Sequence, residues 1–171
     1  MNFKTAFRSV IKLCLLLLLP LITTQCAARK TPELPRDILG ISLGMNKDDA
    51  VRQLNQISKF ENAEGKSGEL WRLNNDPRFS HLAVGFDKEN KVRYVTALVD
   101  KATVKERVRF SSIGDLTAAK KEVLEPHHRY IWQVPASGEN SAYFVILNGS
   151  DADFLSIYSL SSVAKAEESK E

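Results

Sequence analysis

Apolar residues recur at helical spacing in two short windows of this chain and alternate with polar residues in several others. In ISLGMNKDDAVRQL, residues 41–54, Ala50, Val51 and Leu54 line up with Ile57 as one apolar stripe. Asn46 stands before that window as an N-cap, with Asp49 at the third position of a capping box. Asp48 and Asp49 put negative charge in the first turn, where the helix dipole favours it. The second window, IGDLTAAKKEVL at 113–124, carries Leu116, Ala119, Val123 and Leu124 at similar spacing, and Pro126 stops it. Strands are marked by period two. HLAVGF sets Leu82, Val84 and Phe86 against His81, Ala83 and Gly85, and the turn Asp87-Lys88-Glu89-Asn90 leads into VRYVTALV. AYFVIL is apolar on both faces, which suits a central or doubly covered strand.

The same order of elements is written twice. Gly44 lies ten positions before Leu54, and Gly114 lies ten before Leu124. Trp71 begins WRLNNDPRFSHLAVGF and Trp132 begins WQVPASGENSAYFVIL, each running through a polar loop to an apolar strand that ends fifteen positions on. Polar turns, DKENK and NGSDAD, then lead to VRYVTALV and FLSIYSL. The first copy has seventeen positions between Leu54 and Trp71 where the second has eight between Leu124 and Trp132, room for an extra strand near residues 58–63 and a turn through residues 64–67. The pattern implies a first repeat over 38–100 and a second over 101–162, with a disordered tail at 163–171.

The first residues belong to a different class of segment. Lys4, Arg8 and Lys12 precede the apolar residues at 13–19, Leu21 and Ile22, a run broken by Pro20 and well short of the ~20 residues a membrane span needs. Residues 1–28 therefore read as a secretory signal peptide. Of the two cysteines, Cys14 lies inside that signal. Cys26 has two readings. Cleavage before it would leave a lipidated N-terminal cysteine and an acyl anchor, although Thr23-Thr24-Gln25 departs from the usual Leu-Ala-Gly. Cleavage after Ala28 would remove it, because Cys26-Ala27-Ala28 has the small-x-small pattern. On either reading the exported domain has no internal disulfide and depends on its core.

Charge narrows the partners. The leader holds three of the 24 Lys and Arg, so the rest of the chain balances 21 basic residues against 21 acidic ones. No basic block remains to hold nucleic acid.

The Leu43-Gly44-Met45 segment, followed by a polar cap, a short helix and antiparallel strands, resembles the start of the small exported modules grouped with β-lactamase-inhibitor protein. It is similar also to the small lipoprotein of the outer-membrane β-barrel assembly machinery. The second copy has Ile113-Gly114-Asp115 and lacks the methionine. The resemblance implies helices packed on an antiparallel sheet and a non-catalytic binding or scaffolding role in the bacterial envelope. It carries over no binding residue.

Candidate chemistry is sparse. Gly44 stands alone, without the glycines and lysine of a phosphate loop, and reads as a hinge. His127 and His128 are adjacent, so on a strand they point to opposite faces and cannot share a metal ion. There is no Gly-x-Ser-x-Gly elbow. Trp71, Tyr130 and Trp132 are either core or, if their face is open, the anchors of a binding surface.

The sequence thus predicts an α+β fold of two tandem helix-plus-antiparallel-strand units, with helices on one face of an antiparallel sheet and the other face open to water. The function expected is a non-catalytic protein-binding or scaffolding module of the cell envelope, its partner an envelope protein, with no cofactor, metal or nucleic acid. One alternative is a carrier of a lipid or other apolar ligand, which requires a cavity under Leu116, Val123, Phe144 and Ile146. Another is an enzyme, which requires His127 or His128 in a cleft beside a carboxylate.

Overall fold

The structure, a computed structural model, describes residues 34–64, 68–138 and 140–163. The leader with Cys14 and Cys26, the end of the expected turn at 65–67 and the tail beyond Val163 lie outside them.

The chain begins with a small hairpin, β1 (Asp37–Ile38) and β2 (Ile41–Ser42), closed by Leu39 and Gly40. Gly44 then turns the chain at φ +80°. Its N–H donates to the Val92 carbonyl at 2.8 Å, and Val92 N–H donates to the Met45 carbonyl at 2.8 Å. An added Cβ at Gly44 would touch nothing, so glycine is needed there for its backbone conformation alone.

Helix α1 (Lys47–Ile57) comes next, with Ala50 and Leu54 fully buried. Asn46 holds the N-cap position without a side-chain cap bond, and Asp49 pairs with Arg52 instead of closing a capping box. The helix ends where Ser58 turns extended and its hydroxyl donates to the Leu54 carbonyl at 2.6 Å.

The remaining strands are β3 (Ser58–Glu64), β4 (Gly68–Leu73), β5 (His81–Phe86), β6 (Val92–Leu98), β7 (Lys120–Leu124), β8 (His127–Val134), β9 (Tyr143–Gly149) and β10 (Ile157–Ser162). They form one antiparallel sheet in the order β3-β4-β5-β6-β10-β9-β8-β7. Two four-stranded meanders therefore meet at a seam between β6 and β10, where Thr96 stands opposite Ser159.

Register places the two tryptophans symmetrically about that pair. The row through Trp71, Leu82, Ala97, Tyr158, Leu147 and Tyr130 lies one step to one side of it. The row through Trp132, Val145, Leu160, Val95 and Val84 lies one step to the other. Both rows share the face that forms the core, where Leu82, Val84, Val95, Val145, Leu147 and Leu160 are completely buried.

The expected pair of helix-plus-strand units is not what forms. The fold is predominantly β, and residues 113–124 do not make a second helix. Leu116–Ala118 form a single 3₁₀ turn, whose N-cap Asp115 accepts from Thr117 N–H at 2.9 Å and from its hydroxyl at 2.7 Å. The five residues of β7 pair with β8 and close a hairpin at Glu125-Pro126. A helix confined between Asp115 and Pro126 would span fewer than the ~12 residues that give marginal stability alone. The exposed edge of β8 instead offers Lys120–Leu124 a complete hydrogen-bond ladder. Four apolar positions over nine residues fit both conformations, and the sheet decides between them.

The second meander is therefore covered without an α-helix. Phe110 packs on Tyr130 with ring centroids 4.9 Å apart, and Gly114 lies against the indole of Trp132, whose Nε1 donates to the Asp115 carbonyl at 3.1 Å. On the first meander the cover is α1, anchored where Lys47 pairs with Glu69 at 2.8 Å and sits 4.7 Å from the Phe86 ring.

Because Trp132 is only 5 % exposed and this segment packs against it, Trp132→Ala is expected to cost about 3–5 kcal/mol. A urea-unfolding midpoint within error of the parent protein would contradict that placement.

Candidate functional site

The aromatic residues singled out from the sequence all lie in the core. Trp71, Tyr130 and Trp132 are 3 %, 7 % and 5 % exposed. Phe60 stacks edge-on against Trp71 at 5.4 Å, and Tyr130 stacks on Trp132 at 6.5 Å. Their face is the covered one, and they pack into the core.

The opposite face is built from the alternate residues of the same strands. One row across the sheet reads Asn62, Leu70, Ala83, Thr96, Ser159, Ile146, Ile131 and Lys120. On one side of it run Arg72, His81, Leu98, Ile157, Asn148 and Arg129, and on the other Gly85, Tyr94, Ser161, Phe144 and Gln133. Leu70, Tyr94, Leu98, Ile131, Phe144, Ile146 and Ile157 are all half-buried. Helix α1, the β1–β2 hairpin and the 110–118 segment lie on the other side, and the described residues place no layer over this face.

Two details organise it. At the seam, the Thr96 and Ser159 hydroxyls share a hydrogen bond of 2.8 Å, a polar pair between two apolar patches. Beside it the Tyr94 ring lies flat over Gly85, where any Cβ would come within 1.9 Å of the ring. A glycine there lets an aromatic ring lie down on the sheet, widening the apolar surface.

Charge is confined to the ends of the rows. Arg72 and His81 both reach Glu61, His81 Nε2 at 3.2 Å. These residues are distant in sequence and meet because β3, β4 and β5 pair in register. The Ser80 hydroxyl lies 3.0 Å from His81 Nδ1, giving a serine–histidine–carboxylate chain. That hydroxyl is already engaged: it donates to the Leu98 carbonyl at 3.1 Å and accepts from Asp100 N–H at 3.1 Å. These bonds clasp the start of β5 to the end of β6.

The remaining sequence candidates do not converge. His127 and His128 leave β8 on opposite faces. Among the described residues no group of three or more His, Cys, Asp and Glu side chains is placed to hold a metal ion. Phe144 and Ile146 lie on the uncovered face, Leu116 packs against the core from the other side, and Val123 is 46 % exposed on the edge strand. Those four residues do not line one cavity.

Next to the sheet's end, the loop before β5 is organised by Asp76. Its Oδ1 accepts from the N–H groups of Arg78 and Phe79 at 2.8 and 2.9 Å, and its Oδ2 pairs with the Arg78 guanidinium at 3.1 Å. Burial raises this carboxyl, but the bonds from Arg78 and from the Phe79 N–H outweigh it and hold the pKa below its ordinary 3.8.

No protein-family model, no curated protein and no solved structure matches this chain. Among the described residues no helix is long and apolar enough to cross a membrane.

A carboxyl depressed by folding stabilises the fold above its unfolded pKa, and that stabilisation is lost as pH falls through the folded value. Asp76→Ala should therefore lower stability by about 1–2 kcal/mol at pH 7. The gap from the parent should narrow as pH falls below 3.8, measured by chemical denaturation along a pH series. A gap of constant size down to the acid limit would contradict the assignment.

Proposed function

We propose that this chain is a non-catalytic binding module of the cell envelope, and that it docks an envelope protein on the uncovered face of its sheet. The observation that carries this reading is the outward row of Leu70, Ile146 and Ile131 with Tyr94 and Phe144 beside it, apolar positions where a solvent-facing sheet ordinarily alternates to polar. Half-buried aromatic and aliphatic side chains on a rigid sheet lose little conformational freedom on docking, which favours a protein partner. Charges at the row ends, Arg72, His81 and Glu61 on one meander and Arg129, Glu122 and Lys120 on the other, supply a polar rim. The engaged Ser80 hydroxyl and the separated histidines argue against a hydrolytic reading. The resemblance carried by Leu43-Gly44-Met45 points the same way.

Export belongs to the same proposal. The leader pattern before Cys26 supports secretion, and an acyl chain on Cys26 would hold the module at a membrane surface. Labelling cells with a radioactive fatty acid is expected to mark the protein and to fail with Cys26→Ala. Equal labelling of both would remove the anchor from the proposal.

Docking is tested with a photo-crosslinking amino acid placed at Ile146 and, as control, at Lys88 in the β5–β6 turn. In envelope extracts the first should give a discrete adduct and the second none. Phe144→Lys should reduce the adduct about tenfold while costing about 1 kcal/mol of stability or less. No adduct at Ile146, or the same adducts from both positions, would overturn the docking face.

A further inference from the structure

On the covered side, where the two halves of the cover fail to meet, an open pocket of about 660 Å³ lies over the seam of the sheet. Its apolar lining includes Ile38 from the first hairpin, Phe79 from the loop before β5, and Val108 and Ile113 from the segment that covers the second meander. Tyr158 of β10 also lines it.

Tyr158 is 4 % exposed, and its hydroxyl is buried with no hydrogen-bond partner among the described residues. Burial, with Asp37 and then Tyr143 nearby, pushes its pKa upward, so it stays a neutral phenol able to donate. Buried polar groups are nearly always satisfied, and one left over beside a pocket points to something that enters the pocket.

The rim adds a second, independent signal. Arg78, Arg107 and Arg109 all line the pocket. Two of them have carboxylates of their own: Arg78 pairs with Asp76 at 3.1 Å and Arg107 with Asp151 at 2.7 Å. Arg109 has no carboxylate partner among the described residues and rests its guanidinium 4.9 Å from the Phe154 ring. The Arg107 guanidinium lies 3.7 Å from the same ring, so Phe154 holds both cations in place. A guanidinium fixed by stacking but unpaired is preorganised for a planar oxyanion. Asp37 and Glu106 also line the pocket, and their charge disfavours multiply charged anions such as phosphates.

We propose that this pocket binds a small amphipathic monocarboxylate. The carboxylate pairs with Arg109, the apolar body lies over Ile38, Phe79 and Val108, and the Tyr158 hydroxyl donates to the ligand. The site is separate from the docking face, since the two lie on opposite sides of the sheet, and its volume falls within the usual range for small-molecule pockets.

Isothermal titration of the purified chain with octanoate, and with octanol as the uncharged counterpart, tests this. Octanoate should bind saturably and octanol about tenfold more weakly or worse, the difference a charge-assisted bond makes. Arg109→Gln, an exposed position, should weaken octanoate about tenfold and leave octanol unchanged. Tyr158→Phe should weaken octanoate several-fold without lowering the melting temperature, because the lost hydroxyl bonds none of the described residues. Ile146→Lys, on the far side of the sheet, should leave octanoate binding as it was. The proposal is overturned if octanoate does not saturate, if Arg109→Gln binds it as well as the parent, or if Tyr158→Phe binds it unchanged, which would mean that water alone serves the hydroxyl. It is overturned as well if Ile146→Lys abolishes binding, since the ligand would then lie on the docking face.

Discussion

One pairing holds the two meanders together as a single sheet. Among the described residues β6 and β10 are the strands that join the two meanders, and they do so through five residue pairs from Ile157↔Leu98 to Ser161↔Tyr94. In a sheet with one dry face, a slip of one residue in that ladder would turn one meander over relative to the other, carrying either Val95 and Ala97 or Tyr158 and Leu160 out to water. The burial difference forbids it. This register sets the symmetric seats of Trp71 and Trp132, the completely buried aliphatic centre, and the row of residues left facing outward.

Period two was easy to read in HLAVGF, and β5 falls where its alternation puts it, while AYFVIL, apolar on both faces, forms the interior strand β9. Helix α1 was legible for the same reason, since its stripe runs through four apolar positions with acidic residues at its start. The stretch at 113–124 was not. Its apolar spacing is shared by a short helix and by an edge strand with a preceding turn, and only the presence of an unpaired β8 edge distinguishes them. The β1–β2 hairpin also gave no signal, because strands of two residues have no period to detect.

The candidate surface was half legible. A strand apolar on both faces was visible in AYFVIL, and the outward half of that strand, Phe144 and Ile146, lies on the uncovered face of the sheet. The aromatics, conspicuous in the sequence, were open to two readings because composition cannot tell which face of a strand is covered, and they lie on the covered one. What could not be read at all was the meeting of distant residues. Glu61 with His81, and Arg109 with Tyr158, are brought together by pairing and loop packing over separations that no local pattern spans.

The two borders of the sheet have their own consequence. On one border β3 is interrupted by a bulge between Phe60 and Asn62 and carries Lys59 and Glu61. On the other, β7 opens with Lys120-Lys121-Glu122 and runs into Pro126, which has no N–H to offer. Charge, irregular pairing and a missing donor are the devices that keep a sheet from recruiting additional strands, and here each margin has two of the three. A sheet closed to growth sideways meets other molecules only through its two faces, so a high concentration of this protein should favour stacked encounters over fibrils.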